Sequence, residues 1–236
     1  MGLIRLAVAD AAITFLWVVY IAFMRPTTEL IVSTFNLQGF EFHVSMGLLA
    51  LNIFFFSWLG GALGGALWNP TAILALYSMG VSGDSLFSLA VRYPAQAAGA
   101  VGGVLAAREL VPPSHREKIS GPRLLVDLNK GILSELILTF LITFSVLVAI
   151  FKGPKNKFWK NWIIISSTVV VVILGAGYTG PSLNPAHAFA WAYVNNRHSN
   201  LEHLLVYWLA PLAGSFLAAW TFQLVFPRGR PKEKAA

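Results

Sequence analysis

The sequence predicts an all-α membrane fold: six transmembrane helices and two re-entrant half-helices arranged as an inverted repeat. Three observations predict it. Of 236 residues, 56% are hydrophobic and only 11% are charged, against about 25% charged in an average soluble domain. The apolar residues gather into six runs, each about the 20 residues that a bilayer span needs. Two shorter apolar stretches each open with Asn-Pro, at corresponding places in the two halves of the chain.

Composition also excludes alternatives. Mean hydropathy is +0.67, more apolar surface than a soluble globule of this size can hide. A disordered chain lacks such apolar content. A nucleic-acid module needs basic residues spread over one face, whereas here 17 Lys+Arg and 10 Asp+Glu, net +7, sit in short clusters between apolar runs. There is no cysteine, so neither a disulfide nor a thiolate metal site can form. His43, His115, His187, His198 and His203 are not grouped at metal-ligand spacing. No metal or other cofactor is expected, and an enzyme reading finds no constellation to rest on.

The six spans are read at residues 3–24, 43–63, 86–107, 128–151, 159–176 and 201–226. The first follows Arg5 and could pass for a signal peptide. It is too long for that, and Arg25-Pro26 rather than a small-residue cleavage site follows it. It is read as a retained span. The stretches at residues 68–79 and 184–194 are too short to cross. Asn69-Pro70 and Asn184-Pro185 open them, and Asn is a good helix N-cap while Pro suits the first helical position. About ten residues give a half-helix of roughly 15 Å, so two halves meeting head to head cover roughly the 30 Å hydrocarbon core. Such irregular backbone at membrane depth is tolerated only where protein lines a cavity.

An even number of spans puts both termini on one side. The terminal side carries ten Lys and Arg, counting Arg92 as a loop charge, and the other side seven. The excess favours cytoplasmic termini. The halves also match in sequence. Asp10 with Thr14-Phe15-Leu16 corresponds to Glu135 with Thr139-Phe140-Leu141 at an offset of 125, and the Asn-Pro pairs recur at an offset of 115. The whole chain, 1–236, is therefore one transmembrane domain. It holds repeats at roughly 1–110 and 125–227 and a basic cytoplasmic tail at 228–236. Three spans per copy is odd, so the second copy is inverted in the membrane, which places paired elements on either side of the midplane. Each half-helix N-terminus carries about +0.5 charge and unpaired N–H groups. Two of them facing each other oppose a cation or proton and admit a neutral molecule, to whose oxygen the Asn69 and Asn184 amides can donate.

Further motifs accompany the Asn-Pro boxes. They are Gln96 and Gly99 within Tyr93-Pro94-Ala95-Gln96-Ala97-Ala98-Gly99, the acidic residue ahead of Thr-Phe in spans one and four, and Tyr207-Trp208-Leu209-Ala210-Pro211 with Gly214. On these the sequence resembles the aquaporins of the major intrinsic protein family over nearly its whole length. It is most similar to the plant small basic intrinsic proteins. The resemblance implies six tilted helices in a lipid bilayer and a homotetramer with one pore per subunit. It implies a passive channel for water and small neutral solutes, and an endoplasmic-reticulum address.

The same resemblance assigns residues. Asn69, Pro70 and Thr71 and Asn184, Pro185 and Ala186 are the pore motifs, with Thr71 where the family norm is Ala. The narrow region falls at Leu51, Val172, Pro181 and His187, and His187 stands where most aquaporins have Arg. Losing a fixed guanidinium removes five donors and a permanent charge, so a wider and less polar constriction is expected. Asp10 and Glu135 are expected to brace the re-entrant loops, with Gln96 bonding structurally rather than to solute. The glycines Gly60, Gly61, Gly64 and Gly65 and Gly99, Gly102 and Gly103 give small surfaces for close helix crossing.

The chain ends Lys232-Glu233-Lys234-Ala235-Ala236. Lys232 and Lys234 match the pattern that retrieval coats read on cytoplasmic tails, which makes such a coat a partner. Nucleic acid is not expected as one. A coupled transporter would need a charged site at the midplane, and the half-helix ends offer only partial charges. Two further readings remain: a non-conducting structural protein that kept the fold, and a channel mainly for a larger neutral solute such as glycerol or hydrogen peroxide.

Overall fold

The computed structural model describes residues 2–227. Lys232 and Lys234, the expected retrieval signal, lie outside the described residues. The described chain is helical: α1 (Leu3–Phe35), α2 (Glu41–Ala62), α3 (Pro70–Ser78), α4 (Leu86–Leu110), a 3-10 turn (Pro113–Lys118), α5 (Leu128–Phe151), α6 (Lys157–Gly175), α7 (Pro185–Val194) and α8 (Leu201–Val225). Five of these, α1, α2, α5, α6 and α8, are long and apolar enough to cross a membrane. The sixth long helix, α4, has 25 residues and carries Arg92 and Arg108 among glycines and alanines.

The packing repeats between halves. In the first, α1 packs on α2 and α4; in the second, α5 packs on α6 and α8. Each half-helix leans on the other half, α3 on α8 and α7 on α4. The closest crossings sit on equivalent glycines. A Cβ added at Gly99 of α4 would lie 2.1 Å from the Ala11 carbonyl oxygen of α1. One added at Gly214 of α8 would lie 2.3 Å from the Leu136 carbonyl oxygen of α5. Gly99 and Gly214 are 115 apart, and Ala11 and Leu136 are 125 apart, the offsets of the sequence repeat. Backbone meets backbone there because no side chain intervenes.

Two expectations are corrected. The first span does not stop at Arg25-Pro26: α1 runs on to Phe35, with Pro26 inside it. Proline in a helix interior removes one hydrogen bond, but local contacts hold the continuation. Thr28 Oγ1 donates to the Met24 carbonyl at 2.8 Å, and Arg25 pairs with Glu29 at 3.2 Å. Thr28 Oγ1 also lies 3.1 Å from Ser45 Oγ of α2. The helix of 33 residues is roughly 50 Å long, beyond the thickness of the hydrocarbon core. Arg92 is not a loop charge either. It is 2% exposed inside α4, which leaves the terminal side nine Lys and Arg against seven. In α8, Pro211 has no N–H for the Tyr207 carbonyl, and a wider π turn at Leu205–Leu209 immediately precedes it.

Candidate functional site

The two Asn-Pro sequences build the centre of the molecule. Asn69 and Asn184 are both extended N-caps with Pro at the first helical position. The half-helices have 9 and 10 residues, about 14 and 15 Å. Asn69 Oδ1 accepts from the Thr71 N–H at 3.0 Å, and Asn184 Oδ1 accepts from the N–H groups of Ala186 and His187 at 3.1 and 3.3 Å. Each amide nitrogen then crosses to the other half. Asn69 Nδ2 donates to the Leu183 carbonyl and Asn184 Nδ2 to the Trp68 carbonyl, both at 2.9 Å. The helix tips therefore meet, as the head-to-head length match requires. An amide carries two N–H groups, so each asparagine keeps one after its cross-tie.

Carboxylates hold the two approaches, but differently. Glu135 is fully buried and accepts from the N–H groups of Ser182 and Leu183 at 2.9 and 3.1 Å. Leu183 sits at φ +52°, a left-handed conformation costly for a branched residue. Its N–H on Glu135 and its carbonyl on Asn69 fix it there. Asp10, one methylene shorter, reaches a single loop N–H, that of Leu67 at 2.8 Å. Gln96 Nε2 donates to the carbonyl of the same Leu67 at 2.6 Å. The rest of Asp10 is taken by Arg92, whose Nε and Nη2 donate to its two oxygens at 2.6 and 3.0 Å. Arg92 Nη1 turns to Asp84 on the loop before α4, at 3.0 and 3.1 Å. Sequence reading missed Arg92 and Asp84 as parts of the site. The signal was present: Arg92 lies four residues before Gln96, on the same helix face.

Thr71 is buried and spends its hydroxyl on Asn69 Oδ1 at 2.8 Å, a local bond. Pro70, Pro185 and Ala186 are buried at the helix tips. Val172, Pro181 and His187 are half-buried near the second tip. His187 Nε2 accepts from Trp191 Nε1 one turn on, at 3.2 Å. That nitrogen therefore carries no proton, and the imidazole is neutral in this arrangement. Trp191 is a second residue that sequence reading missed. Leu51 of α2 is 65% exposed, on one side of the helix with Phe55 and Trp58. Leu49, 200° away around the helix, is 7% exposed and packs with Ala50, Ile53 and Ile165. Among the described residues no group of three His, Asp or Glu could hold a metal ion.

Comparison with known proteins agrees with this geometry. The family model described as major intrinsic protein matches residues 1–222. The chain is 50% identical to a maize protein named aquaporin SIP1-2, over 98% of this chain and 96% of that one. It is 49% identical to aquaporin SIP1-1 of Oryza sativa subsp. japonica, over 98% and 97% of the two chains. It is 41% identical to aquaporin SIP1-1 of Arabidopsis thaliana, over 99% and 98%. Among solved structures, the aquaglyceroporin from Plasmodium falciparum matches with a TM-score of 0.70 at 19% identity, covering 95% of this chain and 96% of that one. That likeness concerns the fold. With the interlocked half-helices and the family match over nearly its whole length, the chain belongs to the major intrinsic protein family, a family of membrane channels rather than enzymes.

Proposed function

We propose that this membrane channel passively conducts water and other small neutral solutes through each subunit of a homotetramer in the endoplasmic reticulum membrane. Both termini, with Lys232 and Lys234, face the cytoplasm, where a retrieval coat can bind them. The observation that carries the conduction reading is the pair of asparagine amides. Each is oriented by its own helix cap and by its tie to the opposite half. The N–H left on each can donate in turn to a solute oxygen at the meeting point. The two half-helix dipoles oppose a cation at the same place. Leu51, Val172, Pro181 and His187 form the narrow region of this reading.

One observation favours a broader solute range. His187 is held back against Trp191, and a histidine brings no fixed guanidinium to the constriction. Glycerol and hydrogen peroxide are therefore expected to pass as well. The test is stopped-flow permeability of proteoliposomes holding the purified protein, for water, glycerol, urea and hydrogen peroxide. Osmotic water flux with a low activation energy is the expected result. Flux equal to that of empty vesicles refutes conduction and leaves a structural protein with this fold.

A further inference from the structure

On the face away from the termini, the chain between α4 and α5 lies over the outer end of α7 and encloses a cavity of about 450 Å³. Arg108 at the end of α4, Arg116 and Arg123 on the connecting loop and Arg197 beyond α7 line it. Glu202 is the only carboxylate among its described lining residues. The side chains of Arg108, Arg123 and Arg197 have no hydrogen-bond or ion-pair partner among the described residues. Arg116 makes a 3.4 Å bond to the Val111 carbonyl and lies 3.8 Å from Glu109. His203 also lines the cavity. It is 6% exposed, and its Nε2 has no partner.

We propose that this cavity binds a phosphate group. Four arginines and one carboxylate line the cavity, an excess of three positive charges. A phosphate monoester brings about −1.5 to −2 at neutral pH, a better match than a single carboxylate. The arginine fork suits its oxygens in bidentate fashion. Positive charge on this side works against the orientation that the other loops favour, so topology does not account for the cluster. The cavity is built from helix ends and a connecting loop, which puts it at the membrane–water boundary. A lipid headgroup and a free phosphate can both reach it there. Trp191 forms part of the wall and holds His187, so a bound phosphate lies against the ring that positions that side chain.

The test is calorimetric titration of the purified full-length protein in maltoside detergent with inorganic phosphate, with acetate at equal ionic strength as the control. Saturable binding of one phosphate per chain, tighter than acetate, is expected. Arg123→Gln with Arg197→Gln weakens it at least tenfold, and so does the second pair, Arg108→Gln with Arg116→Gln. Gel filtration shows that each variant is folded. Native mass spectrometry with added phosphatidic acid separates the sources: retained lipid that phosphate displaces identifies a headgroup site, and no retention identifies free phosphate. Phosphate binding no tighter than acetate, or unchanged in both folded double variants, overturns the proposal. The readout is binding without flux, so the result stands apart from whether the chain conducts.

Discussion

Arg92→Met tests whether the first re-entrant loop depends on a buried charge pair. In the native protein the Arg92 and Asp10 side chains are 3% and 0% exposed. Four hydrogen bonds run from the guanidinium to Asp10 and Asp84. Methionine keeps the length but removes the charge, which strands Asp10 without its cation. Breaking such a pair from one side costs about 3–5 kcal/mol, most of it the uncompensated charge. Asp10→Asn in the same chain removes that charge while keeping an acceptor for the Leu67 N–H. The double variant is therefore expected to recover to within about 2 kcal/mol of wild type, a coupling that the double-mutant cycle reads directly. Asp84, with a side chain 9% exposed, has some access to water and limits the recovery. The assay is reversible unfolding of the purified full-length protein in mixed dodecyl sulfate and maltoside micelles, followed by circular dichroism. A single variant within about 1 kcal/mol of wild type, or a double variant as unstable as the sum of the singles, would refute the reasoning.

Asn184→Asp places a full negative charge between the two half-helix ends, so water flux falls and a cation leak appears in proteoliposomes at equal protein abundance; unchanged values count against the pore assignment. His187→Arg deprives Trp191 Nε1 of its acceptor and adds a permanent charge, so the glycerol-to-water permeability ratio drops; the same ratio shows that this side chain does not face the pathway. Gly99→Val drives a side chain into the Ala11 carbonyl and abolishes recovery of folded protein, whereas Gly61→Ala, with nothing within 4 Å of the new methyl, expresses as wild type. Thr71→Ala removes one side-chain bond but leaves the Asn69 cap on the backbone N–H; it lowers stability by about 1 kcal/mol and leaves water flux in place, as measured by unfolding and stopped flow.

The centre of the molecule was legible because its features come in pairs. Asn69 and Asn184, and Asp10 and Glu135, recur at fixed offsets; the asparagines make equivalent ties, and each carboxylate accepts from the loop of its own half. What was not legible depended on partners or on angle. Hydropathy registers Arg92 as a polar residue and cannot see the two carboxylates that neutralise it. Pro26 reads as a stop, and only the Thr28 and Glu29 contacts show why the helix continues. Whether Leu49 or Leu51 turns to the core was a matter of register. At 100° per residue, a shift of two positions turns a side chain from the core to the outside, and no apolar pattern distinguishes them in a helix that is hydrophobic nearly all round. The Trp191 tie joins two residues one turn apart, a spacing too common in helices to stand out.

The reciprocal asparagine ties also bear on the order of assembly. The Trp68 carbonyl receives its donor from a residue 116 positions later in the chain. During synthesis the leading half can enter the lipid, yet its dipping segment stays unfinished until the trailing half has been made and has docked. A chain cut between α4 and α5 would leave that oxygen and the Asn69 amide without their counterparts at the depth where water is scarcest. Neither half is a free-standing module, and the passage between them comes into being only when both are present.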